Sequence, residues 1–227
     1  MNNTARKTTD HRLTNILYHL RARIRPRAKR LFDISAAFFL IIVFSPLASL
    51  VMLTICVSGH LPFYRHVRVG RGERHFYCLK FRSMRSDSDV ILAKALQRDT
   101  ALKAEWDANR KLRCDPRVTR VGRVLRATSL DELPQLVNIL VGQMSFVGPR
   151  PVTREEFINY YDPPAKAAYS SVRPGLTGLW QVSGRNEIGY DRRVAMDVHY
   201  TKHLSLRTDV VILFRTIGAV ARRRGAW

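Results

Sequence analysis

The chain has 227 residues, enough for one substantial domain with a small appendage. Its 39 Lys and Arg residues against 18 Asp and Glu residues give a formal charge of +21, which indicates an anionic partner: nucleic acid, acidic lipid head groups or phosphorylated small molecules. A merely solvated basic surface is the alternative, whereas an apolar content of 46% excludes a disordered basic tail.

The N-terminal part divides into a basic lead-in, residues 1–30, and a membrane segment, residues 31–60. The lead-in has a mild helical pattern and is predicted to lie on an acidic membrane surface. The run from Ile34 to Val57 carries no charge and is long enough to cross a bilayer, which takes about 20 apolar residues. Because the run is apolar all round, a buried core helix of a soluble protein is disfavoured.

Ser45 and Pro46 stand at the midpoint of this apolar run. Proline removes a backbone donor and clashes with the preceding turn, so a Ser-Pro break in the helix is predicted there. Both flanks are rich in Arg and Lys, and such flanks tend to stay in the cytoplasm. A segment that enters and returns on one side satisfies both flanks, so we predict a re-entrant membrane helix. A kinked helix that spans the bilayer is the alternative.

The remaining residues, 61–227, are predicted to form an α+β, mostly helical domain. The stretch "FYRHVRVGRGERHFYCLKF" indicates a small β-hairpin around a Gly-Arg-Gly turn. Residues 87–113 have an amphipathic helical pattern, and further helices are predicted over 191–204 and 206–224, the last of them amphipathic and interfacial. Four arginines at intervals of three are expected to share one helix face, for phosphates or for lipid head groups: Arg117, Arg120, Arg123 and Arg126.

Two adjacent carboxylates, Asp131 and Glu132, stand at the start of a helical stripe in "LRATSLDELPQLVNIL". The simplest interpretation is that they cap the first turn of a helix, with Ser129 or Asp131 as N-cap. The following "GPRP" holds Arg150 in a restricted backbone, which suits a phosphate. Carboxylates supply oxygen ligands for Mg²⁺, which usually brings substrate phosphates with it. Together these groups beside a membrane segment indicate phosphoryl transfer to or from a lipid.

Three long stretches carry a specific resemblance: "FYCLKFRSMRSDSD", "DPRVTRVGRVLRATSLDELPQLVNILVGQMSFVGPRP" and "RPGLTGLWQVSGRN". They resemble the bacterial sugar transferase family, the monotopic phosphoglycosyl transferases that begin polysaccharide assembly on undecaprenyl phosphate. The resemblance runs from about Lys29 to the C-terminus. The C-terminal part resembles members that transfer galactose or glucose 1-phosphate.

The resemblance implies an enzyme that moves hexose 1-phosphate from a UDP-hexose to undecaprenyl phosphate and releases UMP, as the first membrane step of exopolysaccharide biosynthesis. Asp131 corresponds to the nucleophile that carries the phosphosugar, and Glu132 to its partner. Mg²⁺ is the implied cofactor, held by these two carboxylates.

Other residues are implied in substrate binding. Arg150 would contact the phosphate of the donor, and Lys80 and Arg82 would meet the lipid phosphate near the membrane interface. Arg173 and Arg185 are candidates for contacts with the nucleotide sugar.

The expected location is the cytoplasmic face of the inner membrane, with residues 61–227 as the catalytic domain and anionic lipids as further partners. Nucleic acid is not expected, because no recognisable nucleic-acid module is present. A homodimer and contacts with downstream glycosyltransferases are left open. Two alternatives are a non-catalytic basic module that binds membrane or nucleic acid, and a lipid phosphatase that uses the same carboxylates with water as acceptor.

Overall fold

The computed structural model describes residues 3–109, 112, 114–184 and 188–221. The predicted α+β, mostly helical class is confirmed. The helices are α1 (Asn3–Val57), α2 (Ser88–Arg98), α3 (Thr100–Asn109), α4 (Arg120–Thr128), α5 (Gln135–Leu140), α6 (Arg154–Tyr160), α7 (Pro163–Ser171), α8 (Tyr190–Lys202) and α9 (Leu206–Ala221). The strands are β1 (Phe63–Val69), β2 (His75–Phe81), β3 (Ser145–Val147) and β4 (Gly175–Thr177), and short 3-10 turns cover Arg71–Glu73, Leu130–Glu132 and Trp180–Val182.

Helix α1 continues through the proline at its apolar midpoint, and the lead-in and the apolar segment form one helix. Pro46 has no N–H to donate to the carbonyl of Ile42, and the Ser45 hydroxyl donates to that carbonyl instead, at 2.8 Å. The structure therefore differs from the predicted pair of separate helical pieces, because the serine replaces the bond that the proline removes. The re-entrant path through a bilayer stays a prediction.

The two halves of α1, before and after Pro46, pack against the same globular body. Before the proline, Arg30 donates to the carbonyls of Ile139 and Leu140 at the end of α5, at 2.6 and 2.9 Å. After it, Val51 and Ile55 form a buried cluster with Phe81 of β2 and Leu125 of α4. The apolar segment is thus held to one body at both of its ends.

Buried polar contacts fix the base of α1. Asp33 is 2% exposed and accepts hydrogen bonds from the Ser145 hydroxyl and the Phe146 N–H, both at 3.2 Å. Lys29 pairs with Asp209 of α9 at 2.5 Å, and Asp209 also accepts from the Tyr200 hydroxyl at 2.7 Å. Because charged groups are costly to bury without partners, this arrangement fixes how α1 meets β3, α8 and α9.

The outer face of α1 remains apolar and uncovered. The segment Arg27–Val57 is long and apolar enough to cross a membrane, with a mean hydropathy of 2.6, yet only 11% of its apolar window is buried. A core helix of a soluble protein would be mostly buried, so this exposure indicates association with a membrane. The exposed large side chains are Leu31, Phe32, Ile34, Phe38, Phe39, Ile42, Val43, Leu50, Leu53 and Val57.

The predicted hairpin is confirmed, with β1 and β2 antiparallel from Phe63 opposite Phe81 to Val69 opposite His75. Its turn contains Gly72 at φ 64°, a left-handed conformation that favours glycine. A second pair, β3 and β4, is parallel and was not predicted from the sequence. Strands of three residues are too short to show an alternation of apolar and polar residues, so the sequence pattern did not reveal them.

Three predicted helical regions are found with changed bounds. The region 87–113 contains two helices, α2 and α3, because the Asp99 carboxylate accepts from the N–H groups of Ala101 and Leu102 and starts a new helix. Helices α8 and α9 correspond to the two C-terminal predictions. In α9, Ile212 is buried while Phe214 and Ile217 are exposed, in keeping with the apolar face predicted for an interfacial helix.

Gly122 allows α4 to lie directly against the chain that follows β2. A Cβ at this position would stand 1.9 Å from the carbonyl oxygen of Ser83, so an added methyl group must displace one of the two segments. We expect Gly122→Ala to destabilise the protein by about 1–3 kcal/mol, as overpacking does, and to lower the melting temperature of the detergent-solubilised enzyme.

The matched control is Gly218→Ala in α9, where a Cβ would meet no atom within 4 Å. This change should leave the melting temperature unchanged or raise it slightly, because alanine favours a helix interior over glycine by roughly 0.5–1 kcal/mol. Equal melting temperatures for the two variants would contradict the close packing of α4.

Candidate active site

A tight turn between α4 and α5 presents the two adjacent carboxylates. Ser129 ends α4 in a left-handed conformation, at φ 59°, and the 3-10 turn Leu130–Glu132 follows at once. Neither carboxylate caps a helix, contrary to the simplest interpretation of the sequence, because α5 begins later and Pro134 occupies its N-cap position. Asp131 and Glu132 are therefore not committed to capping, and both line a cavity.

Lys80 of β2 lies between these carboxylates. Its Nζ is 2.7 Å from Glu132 Oε1 and 3.9 Å from Asp131 Oδ2. Glu132 has a second partner in the side chain of Gln135. The three charged groups form a single cluster in which Asp131 is 8% exposed and has the longer contact with the ammonium.

The electrostatic environment separates the two carboxylates. Burial raises the pKa of Asp131 to about 6, with Lys80 opposing the rise and Glu132 adding to it. Burial alone would raise the pKa of Glu132, but Lys80, Arg150 and Gln135 together outweigh it, so the pKa is lowered. Burial lowers the pKa of Lys80, but the two carboxylates outweigh it and the net shift is upward. Asp131 is thus the less compensated anion of the pair.

The helix dipole is not the main influence on Asp131, although a carboxylate in the first turn of a helix is stabilised in its ionised form. In the structure burial is the largest influence on its pKa, and the backbone hydrogen bond is the smallest. The opposing charge comes mainly from Lys80, a residue on a different element.

Arg150 reaches the same cavity from the segment after β3. The backbone there is braced against β4, since Gly148 N–H donates to Thr177 O at 3.0 Å and Gly175 N–H donates to Pro149 O at 2.7 Å. The positive charge of Arg150 acts to lower the pKa values of both Lys80 and Glu132, which shows that its guanidinium lies near them. The backbone of Arg150 is therefore restricted, as predicted, and the residue lies next to the carboxylate pair.

Arg82 also lines the cavity. Its Nε donates to the carbonyl of Leu61 at 3.0 Å, whereas Lys80, two positions earlier, contacts the carboxylates. The two residues predicted for the lipid phosphate thus line one cavity but have different partners.

The arginines spaced by three do not share a face. Arg117 precedes α4, and residues 120 and 126 differ by about 120° around a helix. Arg117 and Arg126 line the cavity, whereas Arg120 and Arg123 are exposed. Arg126 donates to the Ser83 hydroxyl at 3.0 Å.

The structure does not bring Arg173 to the cavity. Its Nε donates to the carbonyl of Gly142 at 2.7 Å, close to Arg30 at the far end of α5. Arg185 lies outside the described residues, so its predicted contact with the nucleotide sugar stays a prediction.

The cavity has a volume of about 670 Å³ and an excess of positive charge. Four acidic residues line it together with seven basic ones: Arg68, Lys80, Arg82, Arg85, Arg117, Arg126 and Arg150. Leu40 and Phe44 of the membrane helix also border it, so an anion bound there would lie beside apolar surface.

Several lining residues were not selected from the sequence, namely Arg68, Thr177, Trp180 and Gln181. Three of them fall in the quoted stretch "RPGLTGLWQVSGRN". Its closely spaced glycines were the available signal, because glycines often mark places where backbone or ligand approaches closely.

Asp131 and Glu132 fit Mg²⁺ only as a partial ligand set. Within the described ranges, no group of three or more His, Cys, Asp or Glu residues could hold a metal ion. Mg²⁺ commonly takes one or two carboxylates and completes its shell with substrate phosphates and water. The pair therefore suits a metal that arrives with a phosphorylated substrate.

A family model described as bacterial sugar transferase matches residues 24–223, which include the membrane helix and every element of the cavity. The chain belongs to the bacterial sugar transferase family. The resemblance seen in the sequence is thereby confirmed, and the chain is an enzyme of the sugar-phosphate transferase class.

Two kinds of relative are found. The chain is 50% identical over 201 residues to the exopolysaccharide production protein ExoY of Sinorhizobium fredii, with 88% of each chain covered. It is 47% identical over 199 residues to the UDP-galactose-lipid carrier transferase of Erwinia amylovora and to the undecaprenyl-phosphate galactose phosphotransferase of Salmonella typhimurium. These matches cover 88% of this chain but 41% of each of the longer relatives.

The contact between Lys80 and Glu132 can be tested by measuring the free energy of unfolding of variants. We expect Lys80→Met to cost about 1–3 kcal/mol of unfolding free energy, because it leaves two adjacent carboxylates in a buried turn without their cation. Adding Glu132→Gln should recover part of the loss, so that the double variant is more stable than the sum of the single changes predicts. Chemical denaturation in detergent measures all four proteins.

Lys94→Met is the matched control, since Lys94 is an exposed residue of α2 and its removal should change stability little. Strict additivity of Lys80→Met and Glu132→Gln would show that the two side chains do not interact.

Proposed function

We propose that the protein transfers hexose 1-phosphate from UDP-galactose or UDP-glucose to undecaprenyl phosphate and releases UMP, as the first membrane step of exopolysaccharide biosynthesis. The main support is the position of the carboxylate pair, with Asp131 buried and Glu132 half-buried, bridged by Lys80 in a basic cavity that also borders the apolar segment of α1. The names of the Erwinia and Salmonella relatives support the same donor and acceptor.

The first step forms a covalent bond between the protein and the donor. An Oδ atom of Asp131 attacks the sugar-proximal phosphorus of the UDP-hexose. The bond from that phosphorus to the bridging oxygen breaks, and UMP leaves with the electron pair. Arg150 and Lys80 stabilise the charge that develops on the phosphate oxygens. The product is a hexose 1-phosphoryl group bound to Asp131 as an acyl phosphate, a covalent intermediate typical of carboxylate nucleophiles.

The second step transfers the phosphosugar to the lipid. A phosphate oxygen of undecaprenyl phosphate attacks the same phosphorus, and the Asp131 carboxylate leaves and is regenerated. The lipid phosphate is already ionised at neutral pH, so no general base is needed. Mg²⁺, held by Asp131 and Glu132 when bound, would supply charge neutralisation on the phosphates.

The catalytic domain is proposed to lie on the cytoplasmic face of the inner membrane, with α1 dipping into the bilayer and returning. The docking of both halves of α1 on one body supports this placement, because a helix held at both ends cannot place one end on the far side. The basic residues on both flanks support the cytoplasmic side and contact with anionic lipids.

Asp131→Asn tests the nucleophile. In nanodiscs that contain undecaprenyl phosphate, Mg²⁺ and UDP-hexose, we expect this variant to lose UMP release by about 10³-fold or more, because the amide is not nucleophilic. Wild-type protein given the donor alone should carry one added phosphohexose on Asp131 by mass spectrometry. Asp107→Asn, an exposed position on α3, is the control.

The outcomes separate the alternatives. UMP release that survives in Asp131→Asn would remove the nucleophile assignment. Phosphate release from the lipid without any donor would favour a lipid phosphatase. Lipid binding with no UMP from any donor would favour a non-catalytic module.

Single cysteines test the membrane path. In a variant without Cys56, Cys78 and Cys114, Asn15→Cys and Arg74→Cys place thiols before and after the apolar segment. Both should resist a membrane-impermeant maleimide added to intact cells and react after lysis. Labelling of only one position in intact cells would show that α1 spans the bilayer.

A further inference from the structure

The chain segment after β4 forms one wall of the cavity beyond the carboxylate pair. We call Thr177, Trp180, Gln181 and Thr216 the polar wall. Thr177 and Trp180 are 5% and 3% exposed, so these groups are withdrawn from bulk solvent. Nothing in the proposed phosphoryl transfer uses them.

Two buried polar atoms of this wall have no hydrogen-bond partner among the described residues: Trp180 Nε1 and Gln181 Oε1. The other amide atom of Gln181, Nε2, donates to the carbonyl of Leu176 at 3.3 Å, which leaves the oxygen as the unused group. Buried polar groups are nearly always paired, because an unpaired one destabilises the fold. Two unpaired groups on adjacent residues, one donor and one acceptor, therefore point to a polar ligand.

Thr177 adds a second acceptor. The Thr216 hydroxyl donates to the carbonyl of Ile212 at 2.8 Å, so the hydrogen in its 2.7 Å contact with Thr177 must come from Thr177. The hydroxyl hydrogen of Thr177 is thus already used, and its oxygen can still accept a hydrogen bond. The wall offers one N–H donor and two oxygen acceptors, with the apolar side chains of Leu176 and Val182 beside them.

Arg150 connects the polar wall to the carboxylate pair. Its guanidinium carbon lies 5.8 Å from the centre of the Trp180 ring, and it acts on the pKa values of Lys80 and Glu132. The loops are also in contact, since a Cβ on Gly178 would stand 2.4 Å from the carbonyl oxygen of Gly148. A group attached to a phosphate at Arg150 would therefore extend to the polar wall.

We propose that the polar wall is the subsite for the hydroxyl groups of the transferred hexose, and that Trp180 and Gln181 select which hexose is used. The inference rests on the proposed function and deepens it by naming the groups that recognise the sugar. Each sugar hydroxyl both donates and accepts, which matches an unpaired N–H beside unpaired oxygens. The guanidinium groups of Arg150 and Arg193 lie over the indole ring, 5.8 and 4.8 Å from its centre, and neither can accept a hydrogen bond from its N–H.

Two variants remove the unpaired atoms: Gln181→Met keeps the side-chain volume nearly constant, and Trp180→Phe keeps an aromatic ring of smaller size. With UDP-galactose and UDP-glucose as donors, we expect kcat/KM for the better donor to fall about tenfold or more in each variant, and the ratio between the two donors to move toward one. The inhibition constant of UMP, which carries no sugar, should stay unchanged.

The donor ratio distinguishes recognition from a structural role. Gln181→Met also loses the 3.3 Å bond from Nε2 to Leu176 O, and Trp180→Phe truncates a buried ring, so both variants should melt somewhat below the wild type while the donor ratio changes. Gln97→Met, an exposed position on α2, is the control and should change neither the donor ratio nor the melting temperature. Lower melting temperatures together with equal losses for both donors would overturn the inference.

Binding to Asp131→Asn protein separates this inference from the proposed function. Calorimetric titration with UDP-galactose, UDP-glucose and UDP should show a preference for one UDP-hexose over UDP, and adding Gln181→Met should remove that preference. If the wild type releases no UMP but the preference and its loss are observed, the proposed function fails and the hexose subsite stands. Equal affinities for all three ligands, an unchanged preference in Gln181→Met, or a changed UMP inhibition constant would each overturn the subsite.

Discussion

The ammonium group of Lys80, held between Asp131 and Glu132, is the interaction on which the rest of the site depends. Two neighbouring carboxylates in a buried turn repel each other and lose hydration, so they require a cation at short range. The cation comes from β2, 52 residues earlier in the chain than Glu132. The position of the hairpin relative to the turn between α4 and α5 therefore sets the charge environment of Asp131.

A single apolar cluster maintains that position and joins it to the membrane helix. Phe81 follows Lys80, and Leu130 and Leu133 flank the two carboxylates; all three pack with Val51 and Ile55 of α1. The residues that set the geometry of the charged cluster are thus also the residues that seat the apolar helix. A phosphorylated lipid that reaches the cavity would meet reactive groups whose spacing is fixed by the same packing that anchors the enzyme.

Much of this site was accessible from the sequence, and the failures have physical causes. The carboxylate pair and Arg150 stood out because adjacent acids and a proline-bounded arginine are unusual in a basic chain. The pairing of Lys80 with Glu132 could not be inferred, since no local pattern links β2 to the later turn. Arg173 donates to the carbonyl of Gly142 away from the cavity, a position that its sequence context does not indicate, and its contact with the nucleotide sugar stays a prediction. At Pro46 the helix continues, and the Ser45 hydroxyl donates to the carbonyl that the proline leaves without its usual donor.

The contacts at the base of α1 also bear on how the protein is made. Lys29 finds its counter-ion Asp209 only 180 positions later, and Arg30 finds its carbonyl acceptors more than 100 positions later. Synthesis of the apolar segment is therefore complete long before the partners of Lys29 and Arg30 have been synthesised. The contacts of Lys29 and Arg30 with the globular body can therefore form only after α9 and α5, respectively, have been synthesised.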